Sequence, residues 1–170
     1  MILGIDPGFS GALAFINKDK HTVRIYDMPV YKERVNKKNK LRTDADKINE
    51  LLQEHQPAKC YLELVWTTPQ MGVASAGSFM EHKGTLLGCL SAQGIECDQI
   101  LPKTWQKGMK CPADARKSVA RAVQLFPDCE AKFFGPRGGP KADRAEALMI
   151  GMFGAIRDGF VPTKRMRLCV

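Results

Sequence analysis

Residues 1–16 read MILGIDPGFSGALAFI, and this stretch decides the fold. The apolar run before Asp6 is typical of a buried strand, and the Pro-Gly pair after Asp6 ends that strand in a tight turn. Residues 11–16 resume the apolar pattern and predict a second strand. A carboxylate at the end of a buried strand needs a cation, a basic partner or a role in phosphate chemistry. Asp6 is therefore the first candidate functional residue.

The charge balance of the chain points to a polyanionic partner. The chain has 170 residues, a length that suits one domain spanning 1–170. Lys and Arg total 26 against 18 acidic residues, which gives a net charge of +8. An excess of this size favours binding to nucleic acid, although many soluble basic proteins have no such partner.

Cysteine usage and hydropathy indicate a reduced, intracellular environment. The six cysteines form no C-x-x-C pair, and no His stands near enough to complete a zinc pattern. The start of the chain lacks the basic segment of a signal peptide, and the apolar run ALMIGMFGAI is too short to cross a membrane. We therefore expect a soluble cytoplasmic protein with no membrane partner, either bacterial or phage-encoded and acting in the host cytoplasm.

The remaining pattern alternates strands and helices. It predicts the order β-β-β-α-β-α-β-α-α, and hence an α/β fold in which a five-stranded mixed sheet carries helices on both faces. The basic stretch 31–42 is either a solvated loop or a nucleic-acid-binding arm. The predicted strands are 1–5, 11–16, 23–28, 60–65 and 96–101, and the predicted helices are 44–55, 79–93, 117–126 and 143–157.

Three further acids stand out by position. Glu63 is the single charge in the apolar strand CYLELV, and such a charge is rarely buried without a partner. Asp143 and Glu146 are three residues apart at the start of the last helix, so they share one helical face; a simple capping arrangement would also explain them. If the first and fourth strands are neighbours, these acids can meet Asp6 and bind Mg²⁺ or Mn²⁺ through oxygen ligands.

Three segments together carry a family resemblance. ILGIDPGFSGALAFI, YLELVW and KADRAEALMIG resemble, in order, the acidic motifs of the RuvC-type Holliday junction resolvases of the RNase H-like superfamily. The resemblance implies that Asp6, Glu63, Asp143 and Glu146 are catalytic and bind two Mg²⁺ or Mn²⁺ ions. Glu146 is a departure, because bacterial RuvC usually has Asp there. The resemblance further implies a homodimer that resolves four-way junctions and other branched DNA by symmetric phosphodiester hydrolysis.

Several other residues are candidates for DNA binding. Trp66 follows Glu63 by three residues, and it is either a core aromatic or a platform that stacks on a base near the cut. The lysines around Trp105 would contact phosphates beside a metal site, although they could equally be a solvated face. The loop GPRGGPK either approaches the metals or only connects two elements. The full set of candidates is Trp66, Lys103, Lys107, Lys110, Lys117, Arg137 and Lys141.

The predicted helix 79–93 is the candidate dimer interface. It has an apolar face, and the small residues Gly77, Gly84 and Gly88 permit the close approach of a second helix. A two-fold symmetric dimer would supply two active sites in matching orientation for a junction that has near two-fold symmetry. The histidines, in contrast, form no ligand pattern and are expected to be structural or at the surface: His21, His55 and His82.

Two other functions are compatible with the sequence. The chain could be another RNase H-like nuclease acting on RNA or RNA–DNA hybrids, or a non-catalytic DNA-binding protein. Clustered acids argue against a pure polyanion binder, because negative charge does not help it. The sugar-kinase superfamily shares the DPGFSGALA loop but needs two such domains, and 170 residues are too few. The compact length suggests a phage-type resolvase.

Overall fold

A six-stranded mixed sheet forms the centre of the computed structural model, which describes residues 1–35, 38–112 and 114–169. The first three strands form an antiparallel meander, and two later strands add in parallel beside the first. The predicted mixed sheet is confirmed, with one short strand added at its far edge. In spatial order the strands are β7 (Glu96–Ile100), β6 (Lys59–Glu63), β1 (Ile2–Asp6), β2 (Ala12–Asn17), β3 (Thr22–Asp27) and β8 (Arg167–Leu168).

Helices cover both faces of this sheet, as the sequence predicts. One face packs against α1 (Ala45–His55) and α2 (Val73–Ala92). The other packs against α3 (Pro102–Met109), α4 (Ala115–Leu125) and α5 (Ala142–Arg157). A 3₁₀ helix, Pro127–Phe133, links α4 to α5, and a separate hairpin joins β3 to α1 through β4 (Val30–Val35) and β5 (Lys38–Thr43).

Glycine allows α5 to cross β1 in direct contact. A Cβ at Gly4 would lie 2.1 Å from the carbonyl oxygen of Ala147 and 2.6 Å from the backbone nitrogen of Gly151. No larger residue fits at Gly4 without moving the helix, since real Cβ atoms essentially never come so close to backbone atoms. The first turns of α5 are thereby held beside the end of β1.

Three predicted boundaries are corrected by the structure. Residues 31–42 lie mainly in the β4–β5 hairpin and not in a loop; Asn36 and Lys37 are outside the described residues. The predicted helix 79–93 begins earlier, at Val73, because its first turns are small, exposed residues without apolar periodicity. The segment around Trp105 forms a helix of its own, α3, which begins with Pro102.

Within the described part of the chain, every helix is too short or too polar to cross a lipid bilayer.

Candidate active site

Strand register brings Asp6 and Glu63 side by side at the C-terminal ends of β1 and β6. We call this end of the sheet the acidic edge. β1 and β6 run parallel with Ile5 opposite Leu62, so each acid is the last residue of its strand, side by side. Side chains alternate along a strand, and Gly4 packs against α5, so Asp6 two residues later lies on the α5 face. Glu63 shares that face with Tyr61, which touches Gly154 of α5.

The start of α5 brings two more carboxylates to this edge. Asp143 lies in the first turn of α5, and Glu146 follows one turn later on the same side of the helix. The charges of Asp143, Glu146 and Glu63 raise the pKa of Asp6, but burial raises it more, and together they bring it to about 8. Asp6 therefore lies in a crowded, poorly solvated group of acids that no basic side chain neutralises in the described structure.

Hydrogen bonds orient two of the four acids. The indole Nε1 of Trp105 donates to Glu63 Oε1 at 2.8 Å, and the hydroxyl of Ser118 donates to Glu146 Oε1 at 2.9 Å. Trp105 and Ser118 are both fully buried. Burial raises the pKa of Glu63 and of Glu146, and these hydrogen bonds oppose that rise because they favour the ionised form.

The donor set suits a hard divalent cation. The four candidates offer only carboxylate oxygens, which are the ligands that Mg²⁺ and Mn²⁺ prefer. A bound cation would also favour the ionised form of Asp6, whose pKa is raised to about 8. In the described part of the chain, no three side chains of His, Cys, Asp or Glu converge closely enough to ligate a single ion. The carboxylates thus fit the cation by chemistry and location, without forming a closed ligand cage.

Trp66 is a surface residue, so its interpretation as a core aromatic is wrong. It is 64% exposed where the chain leaves β6 at the acidic edge. Lys83 Nζ lies 4.7 Å from the centroid of the Trp66 ring and donates to the carbonyl oxygen of Val65 at 3.1 Å. The indole is thereby held over a lysine that is itself only 4% exposed. The buried tryptophan of this region is Trp105.

The basic candidates surround the same helices but do not form one cluster. Lys103 and Lys107 lie one turn apart on α3, and both are exposed. Lys110 and Lys117 line a shallow groove of about 350 Å³ beside α4, and Lys117 directly precedes Ser118. The last two candidates precede α5: Arg137 is exposed in the loop before the helix, and Lys141 is its N-cap residue.

An ion pair that the sequence does not reveal anchors the start of α5. Arg144 donates from Nε and Nη2 to both carboxylate oxygens of Asp27, at 2.6 and 2.7 Å, and from Nη1 to the carbonyl oxygen of Lys132. This hydrogen bonding lowers the pKa of Asp27. Because Arg144 lies between Asp143 and Glu146, the pair positions both acids. The contact joins residues 117 positions apart, which no local pattern predicts.

Two of the three histidines, His55 and His82, are buried in the protein. His82 is fully buried, stacks on Phe9 with ring centroids 4.5 Å apart, and shares a 2.6 Å hydrogen bond with Thr43. His55 is buried and contacts the hydroxyl of Tyr26 at 2.9 Å. Burial lowers the pKa of both imidazoles. His82 thus packs between the loop after Asp6 and the hairpin β4–β5.

The sheet order, the crossing α5 and the acids at one edge define an RNase H-like fold. Within that class the chain has the fold of the RuvC-type resolvases. It superposes with a TM-score of 0.56 on Thermus thermophilus RuvC in complex with a Holliday junction substrate, with 13% identity, covering 94% of this chain and 96% of that chain.

Two further structures have similar folds. A second T. thermophilus RuvC structure gives a TM-score of 0.55 with 14% identity over the same shares of the two chains. The yeast mitochondrial Holliday junction resolvase Ydc2 gives 0.50 with 13% identity, covering 89% of this chain and 77% of that one. No protein-family model matches the chain, and no curated protein matches it in sequence. The comparisons therefore confirm the predicted fold.

Proposed function

We propose that the chain is a divalent-metal-dependent endonuclease that resolves four-way DNA junctions and related branched DNA. The observation that carries this proposal is the position of Asp6, Glu63, Asp143 and Glu146 at one end of the sheet. They are near enough there for the charges of the other three, together with burial, to raise the pKa of Asp6 to about 8. A basic protein gains nothing structural from such a group of acids, since burying unpaired carboxylates destabilises the fold. The group is best explained as a site for cations that act on phosphodiesters.

The chain's own residues would hold the metal from three elements. Asp6 and Glu63 would do so from the sheet, and Asp143 and Glu146 from α5. When bound, two Mg²⁺ or Mn²⁺ ions supply electrostatic stabilisation to the attacking and leaving oxygens of the phosphodiester. Trp105 and Ser118 would keep Glu63 and Glu146 ionised and turned in a fixed direction.

Surrounding residues would bind and orient the DNA. The exposed indole of Trp66 is available to stack on an unpaired base at the branch point. Lys103, Lys107, Lys110 and Lys117 would bind phosphates beside α3 and α4, and Arg137 and Lys141 would do so near the start of α5. A homodimer would present two such sites to the two strands that must be cut.

A cleavage assay with branched and unbranched substrates tests this function. Four-way junctions, flaps, linear duplexes and RNA–DNA hybrids are incubated with Mg²⁺, Mn²⁺ or EDTA, and the Asp6→Asn protein is the control. We expect symmetric nicks in the junction, and nicking should require the metal. The cleavage rate should fall by several orders of magnitude in Asp6→Asn, which should still bind the junction.

Other outcomes would identify the alternatives. Preferential cutting of RNA–DNA hybrids would identify a different RNase H-like nuclease. Junction binding without cleavage under any metal condition would identify a non-catalytic DNA-binding protein. Undiminished cleavage by Asp6→Asn would overturn the assignment of the active site.

A further inference from the structure

We propose that the hairpin β4–β5 is a second DNA-binding element, which holds the phosphate backbone of a duplex arm beside the cleavage site. This proposal depends on the proposed function only in taking branched DNA as the nucleic acid that is bound. None of the hairpin's residues belongs to the candidate active site.

The hairpin leaves the sheet at the same edge as the acids. β1 runs toward this edge and ends at Asp6, and β3 also ends there, since Asp27 is opposite Ala12 and Ala12 is opposite Asp6. The hairpin begins three residues later, at Val30. Tyr31, Glu33, Arg42 and Thr43 line one pocket with Phe9, which lies in the loop after Asp6. The base of the hairpin is therefore next to the candidate active site.

Specific contacts fix the base of the hairpin to the body of the protein. Arg42 Nη1 donates to Glu81 of α2 at 2.6 Å, and Thr43 hydrogen-bonds the buried His82 on the same helix. Backbone hydrogen bonds close the base, from Asp44 N to the Pro29 carbonyl at 3.0 Å and from Met28 N to the Gly11 carbonyl at 2.8 Å. The position of the hairpin relative to the acids is thus set by the fold.

The hairpin carries many more basic than acidic residues. Val30–Val35 and Lys38–Thr43, with the two residues between them, contain six basic residues and one acid. That acid, Glu33, is already paired with Arg42 Nε at 2.8 Å, and Arg42 also pairs with Glu81. The exposed Lys32, Arg34 and Lys40 form no ion pair among the described residues.

Strand pairing divides these residues between two faces. Tyr31 pairs with Arg42 and Glu33 with Lys40, so these four share one face. Tyr31, Glu33 and Arg42 meet α2 there, whereas Lys40 lies outside that pocket, is exposed and forms no ion pair among the described residues, so it is available to phosphates as well. Lys32 pairs with Leu41 and Arg34 with Asn39 on the opposite face. Among the described hairpin residues, that second face carries two cations and no acid, as a surface for phosphates requires.

The dimensions suit a duplex arm. A six-residue strand is about 20 Å long, whereas one turn of B-DNA is about 34 Å, so the hairpin can follow a backbone for about half a turn. Unpaired cations spread along an extended element bind phosphates without reading sequence. A protein partner would require either acidic residues of its own or a larger apolar patch, and only Tyr31 and Leu41 are substantially exposed apolar side chains on the described hairpin.

The test compares two triple variants that remove the same charges. In the hairpin variant, Lys32, Arg34 and Lys40 become Gln. In the control, Lys20, Arg165 and Lys164 become Gln; these exposed residues lie near the β2–β3 turn, at the sheet edge opposite Asp6. Binding of a long-armed junction is measured in EDTA over a range of salt concentrations, with cleavage in Mg²⁺ measured on the same junction. Circular dichroism and melting curves check that both variants fold.

We expect the hairpin variant to lose on the order of 100-fold in affinity at about 0.1 M salt, since each phosphate contact contributes about 0.9 to the slope of log K against log salt. That slope should fall by about 2–3 in the hairpin variant and should change far less in the control. The loss should shrink on junctions whose arms are too short to reach the hairpin. Equal salt slopes in the hairpin and control variants would overturn the proposal and indicate that the surface binds something else.

A second measurement does not depend on the variants. In the wild-type protein, acylation of Lys32 and Lys40 by an N-hydroxysuccinimide ester should slow when junction DNA is bound, while Lys20 stays reactive. Unchanged reactivity of all three lysines would contradict the proposal. Binding in EDTA needs no catalysis, so the two proposals are tested separately. The hairpin proposal can fail while the nuclease function is confirmed, and it can be confirmed while no cleavage is seen.

Discussion

At the scale of single residues, the acidic edge holds charge that is incompletely compensated. Asp6 is nearly buried and faces Asp143, Glu146 and Glu63, with the backbone N–H of Gly8 as its one stabilising partner among the groups that shift its pKa. Trp105 and Ser118 supply single hydrogen bonds to two of the other acids. The metal-free protein should therefore be less stable when these acids ionise, and a divalent cation should reverse that loss.

The pH dependence of stability checks this charge imbalance. The pKa of Asp6 is raised from 3.8 to about 8, so the folded state favours the protonated form. The free energy of unfolding should fall as pH rises from about 4 to about 8. Asp6→Asn should remove much of this dependence and raise the Tm of the metal-free protein at pH 8 by about 5–10 °C. Denaturation in EDTA at about pH 5 and about pH 8 measures both effects.

Asp27→Asn is the matched control, because it has the opposite sign. Arg144 lowers the pKa of Asp27, so the ionised form stabilises the fold and its contribution is lost as pH falls through the lowered pKa. This variant should be less stable at neutral pH. A Tm for Asp6→Asn at or below wild type at pH 8 would show that Asp6 is not under electrostatic stress.

The hydrogen bond from Trp105 to Glu63 should tune metal affinity. Trp105→Phe keeps most of the buried ring but leaves Glu63 Oε1 without its donor. We expect the Mg²⁺ concentration for half-maximal cleavage to rise about 10–100-fold, with the maximal rate largely recovered at high Mg²⁺. Ser118→Ala should have the same kind of effect through Glu146. The measurement is a Mg²⁺ titration of the cleavage rate.

Phe133→Leu provides the control for that titration. Phe133 is fully buried in the same core as Trp105, but it donates no hydrogen bond to a carboxylate. It should lower stability without moving the Mg²⁺ requirement. Equal Mg²⁺ requirements in Trp105→Phe and wild type would mean that the indole has only a packing role.

The exposure of Trp66 separates its function from its packing. At 64% exposure the indole contributes little to the core, so Trp66→Ala should leave the Tm nearly unchanged. Junction affinity should fall by about 1–3 kcal/mol if the ring stacks on a base, and Trp66→Phe should be milder. Fluorescence anisotropy with a junction and with a matched duplex measures this, and only the junction should be affected. A large Tm loss with normal junction binding would exclude stacking.

At the scale of elements, apolar periodicity predicts the parts of the fold that are buried and misses the parts that are not. β1, β2 and β6 are apolar runs, and Asp6 and Glu63 stand out in the sequence because each places a charge in or at the end of such a run. The hairpin β4–β5 has almost no apolar pattern, because backbone pairing and the contacts of Arg42 and Thr43 with α2 hold it in place. The contacts that orient Glu63, Glu146 and the start of α5 join distant residues, which local pattern cannot reveal.

The exposed glycines of α2 make a prediction about its interface. A Cβ at Gly84 or Gly88 would meet no atom within 4 Å, so the folded monomer does not require glycine there. Glycine inside a helix costs about 0.5–1 kcal/mol relative to Ala, which a monomer would have no reason to bear. We expect Gly84→Gln with Gly88→Gln to keep or raise the Tm and to convert the predicted dimer into a monomer by sedimentation.

Gly4 is the control for the Gly84 and Gly88 substitutions, because replacing it should lower the Tm. Its Cβ would clash with backbone of α5, so Gly4→Ala should unfold or strongly destabilise the chain. If the α2 double variant sediments like wild type, the dimer interface lies on another surface.

At the scale of the whole molecule, charge is segregated around one edge of the sheet. The chain carries +8 overall, yet four acids gather where β1, β6 and α5 meet, and exposed cations flank them on α3, α4 and the hairpin. A polyanion would be attracted by the surroundings and repelled by the centre, unless divalent cations occupy the centre. Under the proposed function, this arrangement would make productive contact with DNA depend on a bound metal, and the number of sites per assembly would decide the product.

Mixed dimers test how many sites act on one junction. If each protomer carries a complete set of acids, a dimer with one wild-type and one Asp6→Asn subunit has one working site. It should nick one strand of a closed junction and leave the opposite strand intact, whereas the wild-type dimer should linearise a cruciform plasmid. Differently tagged subunits are co-expressed and purified through both tags, and the ratio of nicked to linear plasmid is read on a gel. Linear product from the mixed dimer at the wild-type rate would mean that one site makes both cuts, and it would remove the argument for a two-fold symmetric enzyme.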